Sequence, residues 1–349
     1  MNERYARPGA RLEPRDSMVV ARGLTRDYES RGAVVHALRG VDIDVARGEL
    51  LAVRGRSGSG KTTLLNLLGG LDQPTAGSVL VDGTEISGLG EAASADVRRH
   101  TIAFVFQTFG LIPILSAAEN VEVPLRLVGA EPRERDDRVA DLLDLVGLAE
   151  RARHRPNELS GGEQQRVAIA VALANDPSVV LADEPTGELD SQTSADVFGL
   201  LRGINKALGT TIIIVTHDAF VSEQVQRTVA IRDGRTSTET LRRTEETHEG
   251  HHRVIAEEYA VLDRAGRLQL PRSHVETLDL RNRVRLRLEE DHVGIWPDRG
   301  DGGLPREGVP PANGDPLGSP HDGAPAAGSA PAVGPAGPAG SAETREVDR

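Results

Sequence analysis

Short apolar runs rich in β-branched residues alternate along residues 18–231 with longer segments whose apolar positions recur at helical spacing. The short runs predict buried strands, and the longer segments predict helices with one apolar face. This alternation is typical of an α/β domain with a largely parallel central sheet. The predicted strands are 19–23, 40–45, 50–53, 78–81, 102–106, 179–182, 211–216 and 228–232. The predicted helices are 61–69, 93–100, 116–127, 133–146, 161–174, 191–208 and 219–226.

The composition changes on both sides of this α/β domain, which is placed at residues 18–235. Residues 1–17 and the Pro/Gly/Ala-rich residues 298–349 are predicted to be disordered, because neither stretch can bury enough apolar surface to offset the entropy of ordering. Residues 236–254 hold few apolar side chains and are predicted to be a linker. A small β-rich segment is predicted at residues 255–297.

Composition narrows the class of protein. The 349 residues carry a net charge of −12, which argues against a surface that grips nucleic acid throughout. The chain has no cysteine, which rules out disulfides, thiolate zinc sites and cysteine nucleophiles and fits a cytosolic protein. No run reaches 18 apolar residues and the N-terminus has no apolar core, so neither a membrane span nor a secretory signal is expected.

A glycine-rich stretch follows the predicted strand 50–53 and opens the next predicted helix, in the pattern G-x-x-x-x-G-K-[ST]. Between a strand and a helix this pattern is typical of a phosphate-binding loop, or P-loop, whose backbone N–H groups and helix dipole hold phosphate oxygens. We expect Lys61, one of two lysines in the chain, to reach the β and γ phosphates of ATP, and the Thr62 hydroxyl to ligate Mg²⁺. The predicted nucleotide-binding residues here are Gly55, Arg56, Ser57, Gly58, Ser59, Gly60, Lys61, Thr62 and Thr63.

Two carboxylates end the buried strand predicted at residues 179–182. Asp183 is expected to hold Mg²⁺ through a water molecule, and Glu184 to act as the general base on the attacking water. Taken alone, two acids after a strand are an ordinary helix N-cap as often as they are part of a catalytic site. Together with the P-loop they predict a site that hydrolyses a nucleoside triphosphate.

A third motif, LSGGEQQR, begins at residue 159 and opens a predicted helix. Its serine and glycines leave free N–H groups and a helix dipole facing an anion. The motif resembles the signature of ABC-transporter ATPases, and the resemblance extends over residues 18–235. It implies a P-loop NTPase cassette with a RecA-like core, an antiparallel β subdomain and an α-helical subdomain. The predicted signature residues are Leu159, Ser160, Gly161, Gly162, Glu163 and Gln164.

The same resemblance implies roles for four isolated residues. Gln107 is similar to the Q-loop glutamine that contacts Mg²⁺, and His217 to the switch histidine that contacts the γ-phosphate. Asp190 is similar to the D-loop aspartate, and Tyr28 to the aromatic residue that packs on adenine. Glu188 departs from the family, whose members commonly have a small residue or Asn there. The predicted catalytic residues are therefore Lys61, Gln107, Glu184 and His217, and the predicted metal contacts are Thr62, Gln107 and Asp183.

In this family the signature of one subunit faces the γ-phosphate held by the other, so the resemblance implies a homodimer closed around two ATP molecules. Residues 66–83 and 106–121 resemble the branch that serves lipoprotein-release, macrolide-export and cell-division transporters. In that branch the cassette drives a separate integral-membrane permease, which implies a cytoplasmic protein, peripheral on the inner face of the cell membrane. The apolar residues 111–115 could line the permease groove or belong to the core.

Residues 255–297 resemble the swapped-hairpin barrel of AbrB-type transcription regulators, through the pattern D-x-x-G-R-[apolar]-x-[apolar]-P that begins at Asp263. Arginines at alternate positions from 281 to 287 predict a half-buried strand with one basic face. That face could bind DNA, although the neutral charge balance of the segment favours dimerisation or docking to a partner.

The sequence therefore predicts the ATP-hydrolysing subunit of an ABC transporter that exports, releases lipoproteins or transmits force. Two other classes stay open. One is a soluble ABC ATPase of translation or DNA repair, and the other is a DNA-binding regulator that responds to ATP through its C-terminal segment. A single uninterrupted cassette favours the transporter, since the translation type generally has two cassettes and the repair type a long coiled-coil insertion.

Overall fold

The computed structural model describes residues 17–30, 32–246, 252–263, 266–289 and 291–297. Its largest sheet has seven strands, of which five neighbouring ones run parallel. In spatial order the parallel strands are β9 (Arg227–Arg232), β3 (Leu50–Arg54), β8 (Thr211–Thr216), β7 (Val179–Asp183) and β6 (Ile102–Val105). Strand β8 is buried along its whole length, as expected for a parallel strand covered on both faces. The predicted α/β class is confirmed.

A second, antiparallel sheet has the strand order β2-β1-β4-β5. Its strands are β1 (Ser17–Ser30), β2 (Ala33–Ala46), β4 (Ala76–Val81) and β5 (Thr84–Glu85). The first two form a long hairpin, of which the sequence predicted only the buried base, residues 19–23 and 40–45. The outer part of the hairpin is half-exposed and lacks a buried face along residues 33–37, so its hydrophobic pattern is too weak to predict a strand.

Helices cover both faces of the central sheet, and alternate strand residues face two different cores. Leu51 and Val53 pack with the first helix and the antiparallel sheet, whereas Ala52 packs with helices on the opposite face. No helix among the described residues is long and apolar enough to cross a bilayer. The helices are α1 (Lys61–Leu68), α2 (Glu91–His100), α3 (Ala117–Leu127), α4 (Pro132–Leu145), α5 (Gly161–Leu173), α6 (Ser191–Leu208), α7 (Ala219–Glu223) and α8 (Arg272–Thr277).

Helices α3, α4 and α5 contact one another and form a helical subdomain beside the sheet. Two of them begin with a reciprocal capping box, in which a serine and the glutamate three residues later each satisfy the other's backbone N–H. Ser116 and Glu119 cap α3, and Ser160 and Glu163 cap α5. The sequence S-x-x-E thus fixes where both helices start, and one of these starts is the predicted signature.

The predicted linker differs from the structure, which has strand β10 (Arg235–Glu246) at its start. This strand pairs with β9 on one side and with β11 (His252–Ala260) on the other. Residues 247–251 lie outside the described residues. The prediction failed here because β10 has few apolar side chains: its threonines favour an extended backbone, and pairing satisfies its backbone groups.

The segment predicted at residues 255–297 is not a self-contained β unit, since its first part lies in β11 at the edge of the main sheet. Farther along, β12 (Val284–Leu288) and β13 (Val293–Pro297) form a two-stranded hairpin. Its apolar side chains are not buried as predicted: Leu286 is 64% exposed and Leu288 is 81% exposed. The predicted disordered regions 1–17 and 298–349 lie, apart from Ser17 in β1, outside the described residues.

Candidate functional site

The candidate site lies where the parallel strands end. Arg54 at the end of β3 is paired with Thr216 at the end of β8, and Asp183 at the end of β7 is paired with Val215 of β8. Parallel strands bring their carboxyl ends to one edge of a sheet, and this edge is where α/β proteins bind ligands. The P-loop, the carboxylates 183–184 and His217 therefore meet at one edge of the sheet.

The P-loop joins β3 to α1 and turns sharply at its end. Gly60 has a φ of 102°, and a Cβ there would lie 2.5 Å from the carbonyl oxygen of Ala37 in β2. Only glycine fits this left-handed backbone pressed against a neighbouring strand. The turn leaves the N-terminus of α1, with its free N–H groups, facing the loop.

Lys61 is the first residue of α1 and its side chain is only 5% exposed. Its Nζ donates to the carbonyl oxygens of Gly55 at 3.0 Å and Arg56 at 3.3 Å, and lies 3.6 Å from Oε1 of Glu184. A buried ammonium needs such partners, because burying an unpaired ion costs on the order of several kcal/mol. The positive charge is thus held inside the P-loop rather than toward solvent.

Thr62 and Asp183 face each other across the site, with the Thr62 hydroxyl donating to Oδ1 of Asp183 at 3.3 Å. Burial raises the pKa of the Asp183 carboxyl, and the neighbouring Glu184 charge adds to this rise, while Thr62 and Lys61 oppose it. A cation beside Asp183 would favour its ionised form. The two side chains offer hard oxygen atoms of the kind that Mg²⁺ prefers.

Glu184 follows Asp183 with a φ of 46°, which is uncommon for a residue other than glycine. Its N–H donates to the carbonyl oxygen of Val215 at 2.9 Å, which fixes this backbone to β8. Its Oε2 lies 2.5 Å from Nδ1 of His217. Strained backbone of this kind clusters at functional sites, and here it sets a carboxylate between the buried Lys61 and the exposed His217.

Gln107 lies just beyond β6, which two strands separate from the P-loop strand β3, and its side chain is exposed. Its Nε2 approaches Gly187, where an added Cβ would lie 3.4 Å away. Gly187 in turn donates its N–H to the carbonyl oxygen of Glu184 at 3.0 Å. The turn after β7 thus connects Gln107 to the carboxylate end of the site.

Tyr28 lies on β1, and its hydroxyl donates to Oδ2 of Asp72 at 2.7 Å. The Arg26 guanidinium lies 4.5 Å from the centre of the tyrosine ring and pairs with Asp72 at 2.7 Å. Burial alone would raise the pKa of Asp72, but the hydrogen bonds from Tyr28 and Gln73 and the charge of Arg26 lower it. These contacts fix the tyrosine ring. Asp72 was not singled out from the sequence, since residues 44 positions apart carry no local signal.

The signature residues open α5. Ser160 is the N-cap and accepts from the N–H of Glu163, whose carboxylate accepts from the N–H of Ser160 at 2.8 Å. This backbone hydrogen bond lowers the pKa of Glu163 and keeps it ionised. Leu159 is buried beneath the turn, and its carbonyl oxygen accepts from Nε2 of Gln164 at 3.0 Å.

The signature packs against the predicted D-loop. A Cβ on Gly162 would overlap Thr193 of α6, and one on Gly161 would lie 3.2 Å from Leu189. Asp190 caps α6 by accepting from the N–H groups of Gln192 and Thr193, and a hydrogen bond from the Thr193 hydroxyl lowers the pKa of Asp190. Thr193 was not predicted from the sequence; it packs closely against Gly162, and its hydroxyl donates to Asp190 at 2.6 Å.

The structure therefore brings the predicted residues into two groups. At the ends of the strands, Thr62 contacts Asp183, and the adjacent Glu184 contacts both Lys61 and His217. The signature and D-loop form the other group, with Phe109 also next to Gly161. Among the described residues, no cluster of three or more His, Asp or Glu side chains is arranged to hold a metal ion by itself.

The predicted basic face of the C-terminal hairpin differs from the structure. Arg281 and Arg283 lie before β12, so only Arg285 and Arg287 are in the strand. Arg281 pairs with Asp279 at 3.1 Å, and Arg287 pairs with Glu289 at 3.3 Å. Because neighbouring carboxylates neutralise these arginines, the hairpin lacks the net positive charge that a DNA-binding face needs.

Comparison with known proteins gives one consistent family. The family model for ABC transporters matches residues 38–187. An uncharacterized ABC transporter ATP-binding protein of Thermotoga maritima is 50% identical over 208 residues, which are 60% of this chain and 88% of that protein. A macrolide export ATP-binding/permease protein, MacB 1/2 of Paracoccus denitrificans, is 48% identical over 218 residues, 62% of this chain and 32% of that protein. The chain thus spans about a third of the length of the macrolide exporter.

The fold matches solved ABC cassettes. The dimeric post-hydrolysis structure of the ATP-binding cassette MJ0796, bound to ADP and Pi, has a TM-score of 0.60 and 42% sequence identity. The match covers 64% of this chain and 97% of that cassette. These comparisons do not support the resemblance of residues 255–297 to AbrB-type regulators.

Proposed function

This chain belongs to the ATP-binding proteins of ABC transporters and hydrolyses ATP, and from that premise we propose that two copies close around two ATP molecules to drive a separate membrane permease. The observation that carries the proposal is the contact of Glu184 with both Lys61 and His217 at the end of the parallel strands. This contact places a base, a phosphate-binding cation and a hydrogen-bonding imidazole around one point.

In this proposal the P-loop residues, Gly55 to Thr63, hold the phosphates with backbone N–H groups, and Lys61 neutralises charge on the β and γ phosphates. Glu184 accepts the proton of the attacking water, and His217 bonds the γ-phosphate while its other nitrogen stays on Glu184. The aromatic ring of Tyr28 packs on the adenine. The water oxygen bonds to the γ-phosphorus as the bond from that phosphorus to the β,γ-bridging oxygen breaks. ADP and phosphate then leave, and Glu184 returns its proton to solvent to complete one turnover.

The donor set fits Mg²⁺. Thr62 would ligate the ion directly, Asp183 through water, and Gln107 through its amide oxygen, which together with phosphate oxygens make the hard, incomplete protein shell that Mg²⁺ usually has. When bound, the ion would neutralise charge on the phosphates during their transfer. The raised pKa of Asp183 fits this role. Burial disfavours the ionised carboxylate, and a cation beside it would favour the ionised form again.

The proposed dimer depends on the signature and D-loop residues. The N-terminus of α5 leaves Gly161 and Gly162 N–H groups and a positive dipole end beside the D-loop. A γ-phosphate held by the P-loop of a second copy fits this position. Two nucleotides would then lie between two head-to-tail subunits, as expected from the dimeric solved cassette. ATP would hold the dimer closed, and hydrolysis would loosen it.

The proposed partner of this chain is a membrane permease. The likeness to a macrolide export ATP-binding/permease protein supports a membrane permease of the lipoprotein-release or macrolide-export branch as the partner. Exposed Ile112 and Ile114, after the Q-loop, offer apolar surface for it. We place the protein in the cytoplasm, peripheral on the inner face of the membrane. DNA binding through residues 255–297 is not part of this function, since β11 belongs to the main sheet.

Purification of the Glu184→Gln variant from native membranes tests the permease. The amide cannot take up the proton of water, so ATP should persist and hold the closed state during detergent extraction. We expect mass spectrometry to identify a polytopic membrane protein whose recovery depends on ATP, with an ATP-free purification as the control. Recovery of ribosomes, of DNA, or of this chain alone would contradict the proposal.

A further inference from the structure

We propose that Arg56 of one subunit pairs with Glu188 of the other across the ATP-dependent dimer, so that two such charged pairs form at each closure. This inference rests on the proposed head-to-tail dimer. It assigns to two exposed side chains a part in recognising a second copy of this chain. Neither side chain contacts the other groups of the ATP site within the described residues.

Glu188 lies at the tip of the turn that leads into α6 and is exposed. Its neighbour Leu189 packs on Gly161 of the signature, and Asp190 is held as the cap of α6. The backbone on both sides of Glu188 is therefore fixed beside the signature. Within the described residues, the Glu188 carboxylate makes no hydrogen bond or ion pair, so it is a free negative charge at this surface.

Arg56 lies in the P-loop, and its backbone and side chain have separate surroundings. Its carbonyl oxygen accepts from the N–H of Ser59 at 3.1 Å and from Nζ of Lys61 at 3.3 Å, so the backbone is fixed inward. Its guanidinium is exposed, and in the part of the chain that the structure describes it has no hydrogen bond or carboxylate partner. Arg54, also exposed, adds to the positive charge of this rim.

The two positions approach each other only between subunits. In the proposed dimer the signature of one copy faces the P-loop of the other. Because Leu189 lies against the signature, the adjacent Glu188 comes close to the P-loop of the other copy, where the exposed side chain of Arg56 lies. Two-fold symmetry makes the contact reciprocal, so each subunit contributes one arginine and one glutamate.

Opposite charges at the rim of an interface mainly set the choice of partner and the rate of association. A copy of this chain supplies the complementary charge at both contacts, whereas a cassette without it would leave Arg56 and Glu188 unpaired or facing a like charge. The pair is exposed before closure, so salt should weaken it. The charged pair would therefore favour homodimers of this chain over mixed dimers with other cassettes.

Charge reversal in two separately tagged proteins tests the pair, with Glu184→Gln as the shared parent and saturating ATP. Arg56→Glu alone should dimerise at least about tenfold more weakly than the parent, and Glu188→Arg should do the same, since each homodimer then has two like-charge contacts. When the two variants are mixed, both contacts become one arginine facing one glutamate. The mixture should then form a heterodimer within about twofold of the parent dimerisation constant.

Sedimentation of each protein and of the mixture measures these constants, and Asp141→Arg, an exposed acid on α4, is the matched control and should dimerise like the parent. A parent that dimerises, with a mixture as weak as either variant alone, would overturn the pair but leave the proposed function standing. Single variants that dimerise like the parent would also overturn it. A parent that stays monomeric with ATP would refute the dimer, and the pair with it.

Discussion

The phosphate-binding edge and the C-terminal hairpin use charged and apolar side chains in opposite ways. At the edge, Lys61 is buried and Glu184 is half-buried, and each has a partner within reach. In the hairpin β12–β13, Leu286 and Leu288 are exposed, while Arg287 pairs with a neighbouring glutamate. Burying charge costs free energy, so the stability of the fold does not explain the charged groups at this edge. Their role in binding and hydrolysing ATP does. The described residues of the hairpin include no buried charged side chain and no buried apolar side chain.

A partly buried group of one arginine and two glutamates attaches β10 to the parallel sheet. Arg227 in β9 donates to Oε1 of Glu49 at 3.1 Å and to Oε1 of Glu239 in β10 at 2.6 Å. Burial would lower the pKa of Arg227, but the charges of Glu49 and Glu239 outweigh it and raise the pKa. The first strand added beyond the parallel sheet is therefore attached through paired charge as well as through backbone hydrogen bonds.

The largest expected effect is on turnover, at the phosphate-binding edge. Lys61→Ala removes the ammonium that the structure holds inside the P-loop, so ATP turnover should fall by about 100-fold or more. Phosphate release at saturating ATP measures this change. Lys206→Ala, which removes the other lysine of the chain on the exposed side of α6, is the control and should leave turnover unchanged. Undiminished turnover in Lys61→Ala would refute the assignment of the P-loop.

The next largest effect is on stability, where β10 joins the parallel sheet. Arg227→Ala leaves two carboxylates without their partner, and should lower the free energy of unfolding by about 3–5 kcal/mol. Urea denaturation measures the change. Arg272→Ala breaks an exposed pair with Glu276 on α8 and should cost about 0.5 kcal/mol or less. Equal losses in the two variants would mean that Arg227 does not secure β10.

The smallest effect is expected in the hairpin. Leu286→Ser should change the free energy of unfolding by less than about 0.5 kcal/mol, because the side chain is 64% exposed. Leu67→Ser, in the buried face of α1, should cost at least about 2 kcal/mol in the same urea denaturation. A large loss in Leu286→Ser would show that the hairpin face is covered in solution, and the contrast between the two regions would fail.

The sequence predicts the phosphate-binding edge well because its parts are local. A strand, a glycine loop and a helix follow one another directly at Lys61, and the S-x-x-E pattern marks the start of α5. Strand β10 was missed because backbone pairing and the Arg227–Glu239 pair hold it, with little apolar pattern. The Tyr28–Asp72 bond joins residues far apart in the chain, so no local pattern could predict it.

The most direct test of the central claim is the mass of the purified Glu184→Gln protein with and without ATP, together with the nucleotide it retains. We expect a monomer without ATP and a dimer that retains two ATP molecules with it, because the P-loop of each copy and the signature of the other share each nucleotide. A protein that stays monomeric while it binds ATP would contradict the head-to-tail dimer.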